Sequence, residues 1–233
     1  MLSCPICANT TFDTYGGRVG ARCMGCGSLE RGRLAWLVLT KLDQLRPGVR
    51  LLNNAPEPFM LSFGAKRLCA GYTPADYDPS LFAKWNRKIL QFDMCNPQGF
   101  APGSFDCIMH NHVLEHLPCD VVGALRGLNA LVAPGGYHLF SAPIMPHRTT
   151  IEDFRPDLTP QERLRRFGQD DHVRMFGALD FMTFIERAGM MEGMIDLSPL
   201  ISAAELEAAG LNPQVFETCN PHRIFAWRRA KEE

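Results

Sequence analysis

Four cysteines near the N-terminus have the spacing of a metal site. Cys4 and Cys7 form one Cys-x-x-Cys pair, Cys23 and Cys26 form a second, and fifteen residues separate the pairs. A two-residue spacer lets one tight turn direct both sulfurs at the same ion, and two such turns complete a tetrahedron. Four thiolates leave no open coordination position, so the pattern predicts a structural zinc ion and not a catalytic one.

The segment between the cysteine pairs is typical of a short hairpin. Residues 10–15 are strand-like, Gly16 and Gly17 follow, and residues 18–22 are strand-like again. We therefore expect a zinc ribbon over residues 1–30. Its role stays open, because such a ribbon could contact nucleic acid, hold a substrate lid or support a homodimer.

The other cysteines do not have metal-ligand spacing. Most lie in or beside apolar runs, which predicts small core residues; they are Cys69, Cys95, Cys107, Cys119 and Cys219. A thioredoxin-like redox site would need one Cys-x-x-Cys in a βαβ context, and the sequence offers none. The first residues contain no basic segment followed by an apolar one, so we expect a cytoplasmic, reducing location with thiols free or metal-bound.

The composition excludes several classes of protein. The 233 residues carry 24 Lys+Arg against 25 Asp+Glu, a net charge of -1, and 46% are hydrophobic. Such a chain is too apolar and too weakly charged to be disordered. Its longest fully apolar stretch, residues 34–39, is far shorter than the ~20 residues of a membrane span. The balanced charge also disfavours a dedicated nucleic-acid binder, which usually has a basic excess.

Strand-like and helix-like segments alternate after the ribbon. This order predicts an α/β domain over residues 31–233 with a mostly parallel, doubly wound sheet. The expected strands are residues 49–53, 68–73, 88–92, 105–110, 137–141 and 223–227, and the expected helices are residues 34–45, 121–132 and 179–190.

Polar residues follow several of these strands. Sheets of this kind bind ligands beyond the carboxyl ends of their strands, so those positions are the candidate site. They are residues 53–58 after the first strand, Asp76 after the second, Asp93 and Met94 after the third, and residues 110–117 after the fourth. An acid after the second strand is suited to bind both hydroxyls of a ribose. Asp78 competes with Asp76 for this role, although an Asp-Pro pair also fits the start of a helix.

One run resembles a known family. Residues 105–117, Phe-Asp-Cys-Ile-Met-His-Asn-His-Val-Leu-Glu-His-Leu, precede a helix, the turn Pro134-Gly135-Gly136 and a strand. This pattern resembles the class I S-adenosylmethionine (SAM)-dependent methyltransferases over residues 47–230. The resemblance implies a Rossmann-like seven-stranded sheet whose last strand is antiparallel.

The resemblance also implies a SAM site. Asp76 would hold the ribose, and Asp93 would accept from the adenine amino group beside Met94. His110 and Asn111 would lie near the sulfonium or the substrate. The first-strand loop, Asn54, Ala55, Pro56 and Glu57, would bind the methionine part, with Glu57 at its ammonium.

The first-strand loop departs from the family pattern. The family carries glycines there because the ligand presses on the backbone, whereas this chain has no glycine between Asn53 and Gly64. Two prolines in the loop also remove two donors. We favour a variant loop that still binds SAM over a degenerate site that does not.

Methyl transfer is an in-line displacement to which an enzyme contributes mainly alignment. An oxygen, nitrogen or sulfur acceptor must also lose a proton, and histidine is the usual base. Residues 143–177 form a long insertion that we interpret as a substrate lid. Within it, His172 is the candidate base and Arg174 the candidate binder of an anionic group, with His112 a further catalytic candidate. A structural pair of His172 with Asp171, and simple packing of His112, are the alternatives.

Three functions follow from these observations. The first is a SAM-dependent methyltransferase acting on a small, anionic metabolite or natural-product intermediate. The second is an rRNA or tRNA methyltransferase that contacts RNA through the ribbon. The third is a zinc-ribbon adaptor with no catalytic activity, which the glycine-free loop motivates.

Overall fold

The fold was obtained as a computed structural model that describes residues 1–85 and 87–231. The helices are α1 (Glu30–Lys41), α2 (Ala65–Leu68), α3 (Val121–Leu131), α4 (Pro160–Phe167), α5 (Phe181–Arg187) and α6 (Ala203–Ala208). The strands are β1 (Phe12–Tyr15), β2 (Arg18–Cys23), β3 (Leu51–Asn54), β4 (Tyr72–Asp76), β5 (Leu90–Gln91), β6 (Phe105–Asn111), β7 (Val132–Ser141), β8 (Ile144–Met145), β9 (Ile151–Glu152), β10 (Arg174–Gly177) and β11 (Phe225–Arg228). No helix within the described ranges is long and apolar enough to cross a membrane.

The central sheet has the order β11-β7-β6-β3-β4-β5. β11 is antiparallel to β7, and the other neighbours are parallel, which confirms the predicted α/β sheet and its antiparallel last strand. The described residues supply six strands to it, one fewer than the resemblance implies. Met194 makes only a single bridge to Trp227, and Ser198 then bonds to the Asp196 carboxylate in a turn, so no seventh strand extends there.

The order in which the chain adds strands to the sheet reverses at β3. The chain proceeds from β3 outward to β4 and β5, and then crosses to β6 and β7 on the other side of β3. The register places Asn54 beside Ala75 on one side and beside His110 on the other. The carboxyl ends of β3, β4 and β6 therefore meet at the switch point where ligands bind in such sheets.

A buried core covers each face of the sheet. One contains α1 and the ribbon, with Cys4, Ile6 and Cys23 packed among residues of α1 such as Leu34 and Trp36. The other contains α3 and α5. The apolar face predicted for α3 is buried as expected. The N-terminal segment therefore shares the core of the larger domain through these three residues, while the tip of its hairpin at residues 14–19 is exposed.

The second strand of the sheet is shorter than predicted, and the long insertion has a regular structure of its own. The second strand of the sheet begins only at Tyr72, because residues 60–71 are helical. The insertion at residues 143–177 is well organised: β8, β10 and β9 form a three-stranded sheet, and a capping box between Thr159 and Glu162 begins α4. Its backbone joins the domain where Val173 N–H donates to the Glu115 carbonyl at 3.0 Å.

Candidate functional site

A cavity of about 600 Å³ opens at the switch point. Its wall comes from the loops that follow four parallel strands, and includes Asn54, Ala55, Asp76, Tyr77, Asp78, Leu81, Phe92, Asp93, Met94, Cys95, His112, Val113, His116, Leu117, Pro118 and Cys119. A volume of this size suits a small molecule or nucleotide-like cofactor. Five of the nine predicted SAM-binding residues line it: Asn54, Ala55, Asp76, Asp93 and Met94.

The other four predicted SAM-binding residues, Pro56, Glu57, His110 and Asn111, do not line the cavity. His110 is fully buried in the sheet, where its Nε2 lies 2.9 Å from His138 Nε2 and its ring stacks on Phe140. Burial lowers the pKa of His110 well below its ordinary value, so the ring is neutral and forms part of the core. Asn111 accepts from Ser141 Oγ at 3.1 Å within the sheet.

Glu57 points toward α1. Its Oε1 lies 3.1 Å from the Arg31 guanidinium, an ion pair that ties the first-strand loop to the helix following the ribbon. Burial raises the pKa of Glu57, while Arg31 opposes that shift. Its Oε2 is buried and has no hydrogen-bond partner among the described residues. Sequence reasoning missed Arg31, because only the packing of α1 brings it to this loop.

The glycine-free loop has a glycine-like backbone. Ala55 has a φ of 48°, in the left-handed region that glycine favours, and its N–H donates to the Ala75 carbonyl at 2.9 Å. The small methyl group of Ala55 is the least obstructive side chain that position can carry. At Ala55 the loop therefore has a left-handed backbone of the kind that glycine usually supplies.

Ala55→Gly is expected to stabilise the fold slightly. A non-glycine residue in the left-handed region costs roughly 1–2 kcal/mol, whereas glycine adds about 0.5–1 kcal/mol of unfolded-chain entropy. The net gain in unfolding free energy should be about 0.5 kcal/mol, measured by urea denaturation. Ala65→Gly, at a right-handed helical position, is the matched control and should destabilise. A loss of stability in Ala55→Gly would contradict the strained conformation.

The two acids predicted to bind SAM are each held by a local hydrogen bond. Asp76 Oδ1 accepts from the Asp78 N–H at 2.8 Å, and Asp93 Oδ1 accepts from the Cys95 N–H at 2.8 Å. Burial raises the pKa of Asp76. Asp78 instead accepts from the N–H and hydroxyl of Ser80 at the start of the next helical turn. Both acids border the cavity, but Asp76 is half-buried at the end of β4, whereas Asp78 is exposed.

Three histidines surround one buried carboxylate beside the cavity, and we call His112, Glu115, His116 and His172 the histidine cluster. His112 and His116 line the cavity, whereas His172 and Glu115 are only 3% and 1% exposed behind them. Burial raises the pKa of Glu115 to about 8 and lowers the pKa of His112 to about 3. Burial also lowers the pKa of His172.

The predicted catalytic residues differ in their access to the cavity. His112 reaches it directly, with a φ of 53° and its Nε2–H donating to the Pro221 carbonyl at 3.0 Å, which leaves Nδ1 unprotonated. His172 does not line it and packs edge-on against His116 with ring centroids 4.7 Å apart. The pair of His172 with Asp171 considered from the sequence is instead a contact of Asp171 with His116 at 3.3 Å. His116 lies within the candidate stretch of residues 110–117, but the sequence assigned it no catalytic or binding role.

Arg174 is buried, and all three nitrogens of its guanidinium donate hydrogen bonds. It donates to Glu152 and to the carbonyls of Leu114, Leu117 and Cys119, at distances of 2.7–3.3 Å. The side chain is 1% exposed and does not line the cavity. These contacts fix the loop of residues 114–119 that forms the cavity wall, so Arg174 positions the site and is not proposed as the binder of an anionic substrate.

Two cysteines expected to be free core residues form a disulfide. Cys95 and Cys119 are bonded, with their Cα atoms 5.9 Å apart, and both line the cavity. Their separation of 24 residues hid the pairing, because sequence spacing shows no contact between loops that follow different strands. Of the remaining three, Cys107 is buried as predicted, Cys219 is partly exposed and Cys69 is exposed.

Reduction of this disulfide should lower the free energy of unfolding by about 3–4 kcal/mol, since the cross-link restricts the unfolded chain over a loop of 24 residues. The measurement is urea unfolding with and without a phosphine reductant. The Cys95→Ala/Cys119→Ala variant is the control, and its unfolding should not respond to the reductant. Equal responses of the variant and the wild type would contradict the assignment.

The four N-terminal cysteines come together as predicted. Their sulfurs lie within 4.8 Å of one another, with Cys4–Cys26 and Cys7–Cys23 separations of 3.6 Å. Tetrahedral zinc with Zn–S bonds of ~2.3 Å separates its sulfurs by about 3.8 Å, so the arrangement fits the ion.

Arg33 joins the ribbon to the rest of the domain. It is completely buried and donates to the carbonyls of Ala21 and Ser28 in the ribbon and of Ala209 and Gly210 after α6. Its guanidinium also lies 4.9 Å from the centre of the Phe12 ring. The ribbon and α1 are thereby fixed to the domain, and α1 carries Arg31 to the first-strand loop.

Comparison with known proteins identifies the family. A family model described as a methyltransferase domain matches residues 46–190. The chain belongs to this family of SAM-dependent methyltransferases. The match begins before β3 and ends after α5, so it contains every loop that lines the cavity of this methyltransferase.

Two further similarities accompany this match. The methyltransferase shares its fold with a SAM-dependent methyltransferase from Mesorhizobium loti, with a TM-score of 0.54, 15% identity, and coverage of 86% of this chain and 100% of that one. It is also 31% identical over 86 residues to the highly reducing polyketide synthase sor1 of Hypocrea jecorina. That match covers 34% of this chain, which spans only 3% of the length of the synthase.

Proposed function

We propose that this methyltransferase binds SAM in the cavity at the switch point and methylates a small natural-product intermediate or related metabolite. The observation that carries the proposal is the cavity of about 600 Å³, whose wall brings together Ala55, Asp76 and Asp93 from three loops. SAM supplies an electrophilic methyl group on its sulfonium.

The residues that would hold SAM have complementary chemistry. Asp76 would accept from the ribose hydroxyls and Asp93 from the adenine amino group, each through an oxygen not used by its local hydrogen bond. Phe92 and Met94, both nearly fully buried, supply an apolar surface for the adenine ring. The left-handed backbone of Ala55 supports close approach of the methionine part.

The remaining wall suggests the character of the acceptor. Val113, Leu117 and Pro118 are apolar, and His112 and His116 are the polar groups beside them. His112 borders this space, with its unprotonated Nδ1 3.9 Å from Glu115 Oε1 and its pKa lowered by burial to about 3, so its proposed role is to position a hydroxyl or thiol acceptor and not to remove its proton. The local similarity to a polyketide synthase favours a hydroxylated natural-product intermediate over RNA.

Incubation of the purified full chain with methyl-labelled SAM tests the proposal. The acceptors are a panel of polyketide-like alcohols, phenols and small thiols, with total cellular RNA in a separate arm, and mass spectrometry follows the label. We expect label in a small-molecule product, with much less in the His112→Ala variant. Label only in RNA would favour the RNA methyltransferase, and no transfer together with no SAM binding would favour the adaptor.

A further inference from the structure

The histidine cluster contains a gap that its own groups do not fill. Glu115 Oε1 lies 3.9 Å from His116 Nε2, 4.0 Å from His172 Nε2 and 3.9 Å from His112 Nδ1. These separations exceed the range of hydrogen bonds, for which heavy atoms approach within about 3.2 Å. Glu115 and His172 are nevertheless more than nine-tenths buried, so bulk water does not solvate the facing atoms.

Two polar atoms of the cluster have no partner. His172 Nε2 and Glu115 Oε2 are buried without a hydrogen bond to any described residue. Leaving such atoms unpaired costs roughly 1–3 kcal/mol each, more for a charged group. Native structures rarely keep such groups without any partner, so each of these two atoms needs a water molecule or an ion beside it.

In His116 and His172, the ring nitrogen that faces away from Glu115 already has a polar partner. His172 Nδ1 lies 3.3 Å from the Phe167 carbonyl, which assigns the proton to Nδ1 and the lone pair to Nε2. His116 Nδ1 lies 3.3 Å from Asp171 Oδ2, which assigns the lone pair of His116 to Nε2 in the same way. Both lone pairs therefore face Glu115. Histidines that bind metals are typically held like this, with the second nitrogen donating to a carbonyl or carboxylate.

The spacing brings three ligand atoms within reach of one metal ion. One ligand atom each from Glu115, His116 and His172 lies within 4.8 Å of the other two. Ligand atoms about 2.1 Å from a tetrahedral ion are separated by roughly 3.4 Å. The observed 3.9–4.0 Å separations from the carboxylate are about 0.5 Å wider, so an ion would draw the three side chains slightly together on binding.

We propose that Glu115, His116 and His172 bind a divalent transition-metal ion at the wall of the cavity. Two imidazoles and one carboxylate suit a borderline ion such as Zn²⁺ or Fe²⁺. Three protein ligands leave a coordination position open, and His116 places the ion beside the space where the acceptor would enter. This site is separate from the cysteine ribbon, and it does not depend on methyl transfer, because metal binding is measured by itself.

Co²⁺ is the probe, because its absorption spectrum distinguishes the two sites. Cobalt bound to the four cysteines gives a strong thiolate charge-transfer band, whereas cobalt held by nitrogen and oxygen gives only visible d–d bands. The full chain is first treated with a mild chelator that leaves zinc in the ribbon, and is then titrated with Co²⁺. We expect the wild type to bind one equivalent with d–d bands and no thiolate band.

Three variants and a control test the ligands. Glu115→Gln, which keeps the shape of the side chain, and His172→Ala should lose the d–d bands. Asp171→Asn, which acts only through His116, should bind Co²⁺ about tenfold more weakly. His147→Ala, at an exposed position, should behave as the wild type. Circular dichroism verifies that each variant is folded. If His172→Ala unfolds, the cobalt spectrum of Glu115→Gln tests the proposal by itself. Wild-type protein with only the spectrum of aqueous Co²⁺, or a folded Glu115→Gln variant with unchanged bands, would overturn the proposal.

Discussion

Asp76→Ala is expected to weaken SAM binding by about 100- to 1,000-fold. A carboxylate that accepts from both ribose hydroxyls forms two charge-assisted hydrogen bonds, each worth roughly 1.5–3 kcal/mol. Their combined loss, discounted for water that replaces the carboxylate, is about 3–4 kcal/mol. Asp76 is held at the end of β4 by the Asp78 N–H at 2.8 Å, so its position does not depend on the cofactor. Isothermal titration of SAM measures the effect.

Asp78→Ala is the matched control for this change. Asp78 lies two residues away and also borders the cavity, but it lies beyond the end of β4, is exposed to solvent, and its Oδ1 already accepts two hydrogen bonds from Ser80. Its removal should therefore change SAM affinity by less than about threefold, while the first turn after it loses its cap. If Asp78→Ala instead caused the large loss and Asp76→Ala the small one, the two acids would have to exchange roles.

Arg33→Ala is expected to lower the free energy of unfolding by about 3–5 kcal/mol. The guanidinium satisfies four backbone carbonyls at 2.7–3.2 Å, and each carbonyl left buried and unpaired costs roughly 1–3 kcal/mol. Partial rearrangement and entry of water keep the total below the sum of the four. Because the same side chain joins the ribbon to the segment after α6, the loss should loosen the ribbon from the domain.

Arg165→Ala, at an exposed position of α4, is the control and should change stability by less than about 0.5 kcal/mol. Urea unfolding gives the free energies, and a zinc assay at increasing chelator concentration reports the ribbon. Arg33→Ala should release zinc at lower chelator concentration than either the control or the wild type. A variant as stable as the control would show that the ribbon does not depend on this contact.

Features fixed by local pattern could be predicted from the sequence. The spacing of the four N-terminal cysteines was enough to predict that their sulfurs meet, because one tight turn closes each pair. These residues are Cys4, Cys7, Cys23 and Cys26. The apolar periodicity of α3 gave its buried face. Asp76 and Asp93 could be predicted to border one cavity, because residues at the carboxyl ends of parallel strands meet at the same edge of the sheet.

Features that depend on packing between distant segments were not accessible. The ion pair of Arg31 with Glu57, the disulfide of Cys95 with Cys119 and the approach of His172 to His116 all join elements far apart in the chain. Arg174 illustrates the limit most clearly. Its charge and its position in the insertion indicated a binder of an anionic group. Only the fold shows that three backbone carbonyls of residues 114–119 already accept hydrogen bonds from its guanidinium.

Ala55 illustrates a different limit. The absence of glycine from the first-strand loop leaves a degenerate site as the alternative to the variant loop that we favour. The left-handed φ of 48° favours the variant, because the backbone keeps the conformation for which glycine is normally selected. No residue pattern in the sequence reports that an alanine adopts this conformation.

A crystal structure of the full chain soaked with S-adenosylhomocysteine tests the central claim most directly, since it reports both binding and location. If the methyltransferase binds SAM as proposed, density for the ligand is expected in the cavity at the switch point. The ribose hydroxyls should lie within hydrogen-bond distance of Asp76, the adenine should lie beside Asp93 and Met94, and the amino-acid part should lie against Ala55. Density elsewhere, or an empty cavity at saturating ligand, would contradict the account.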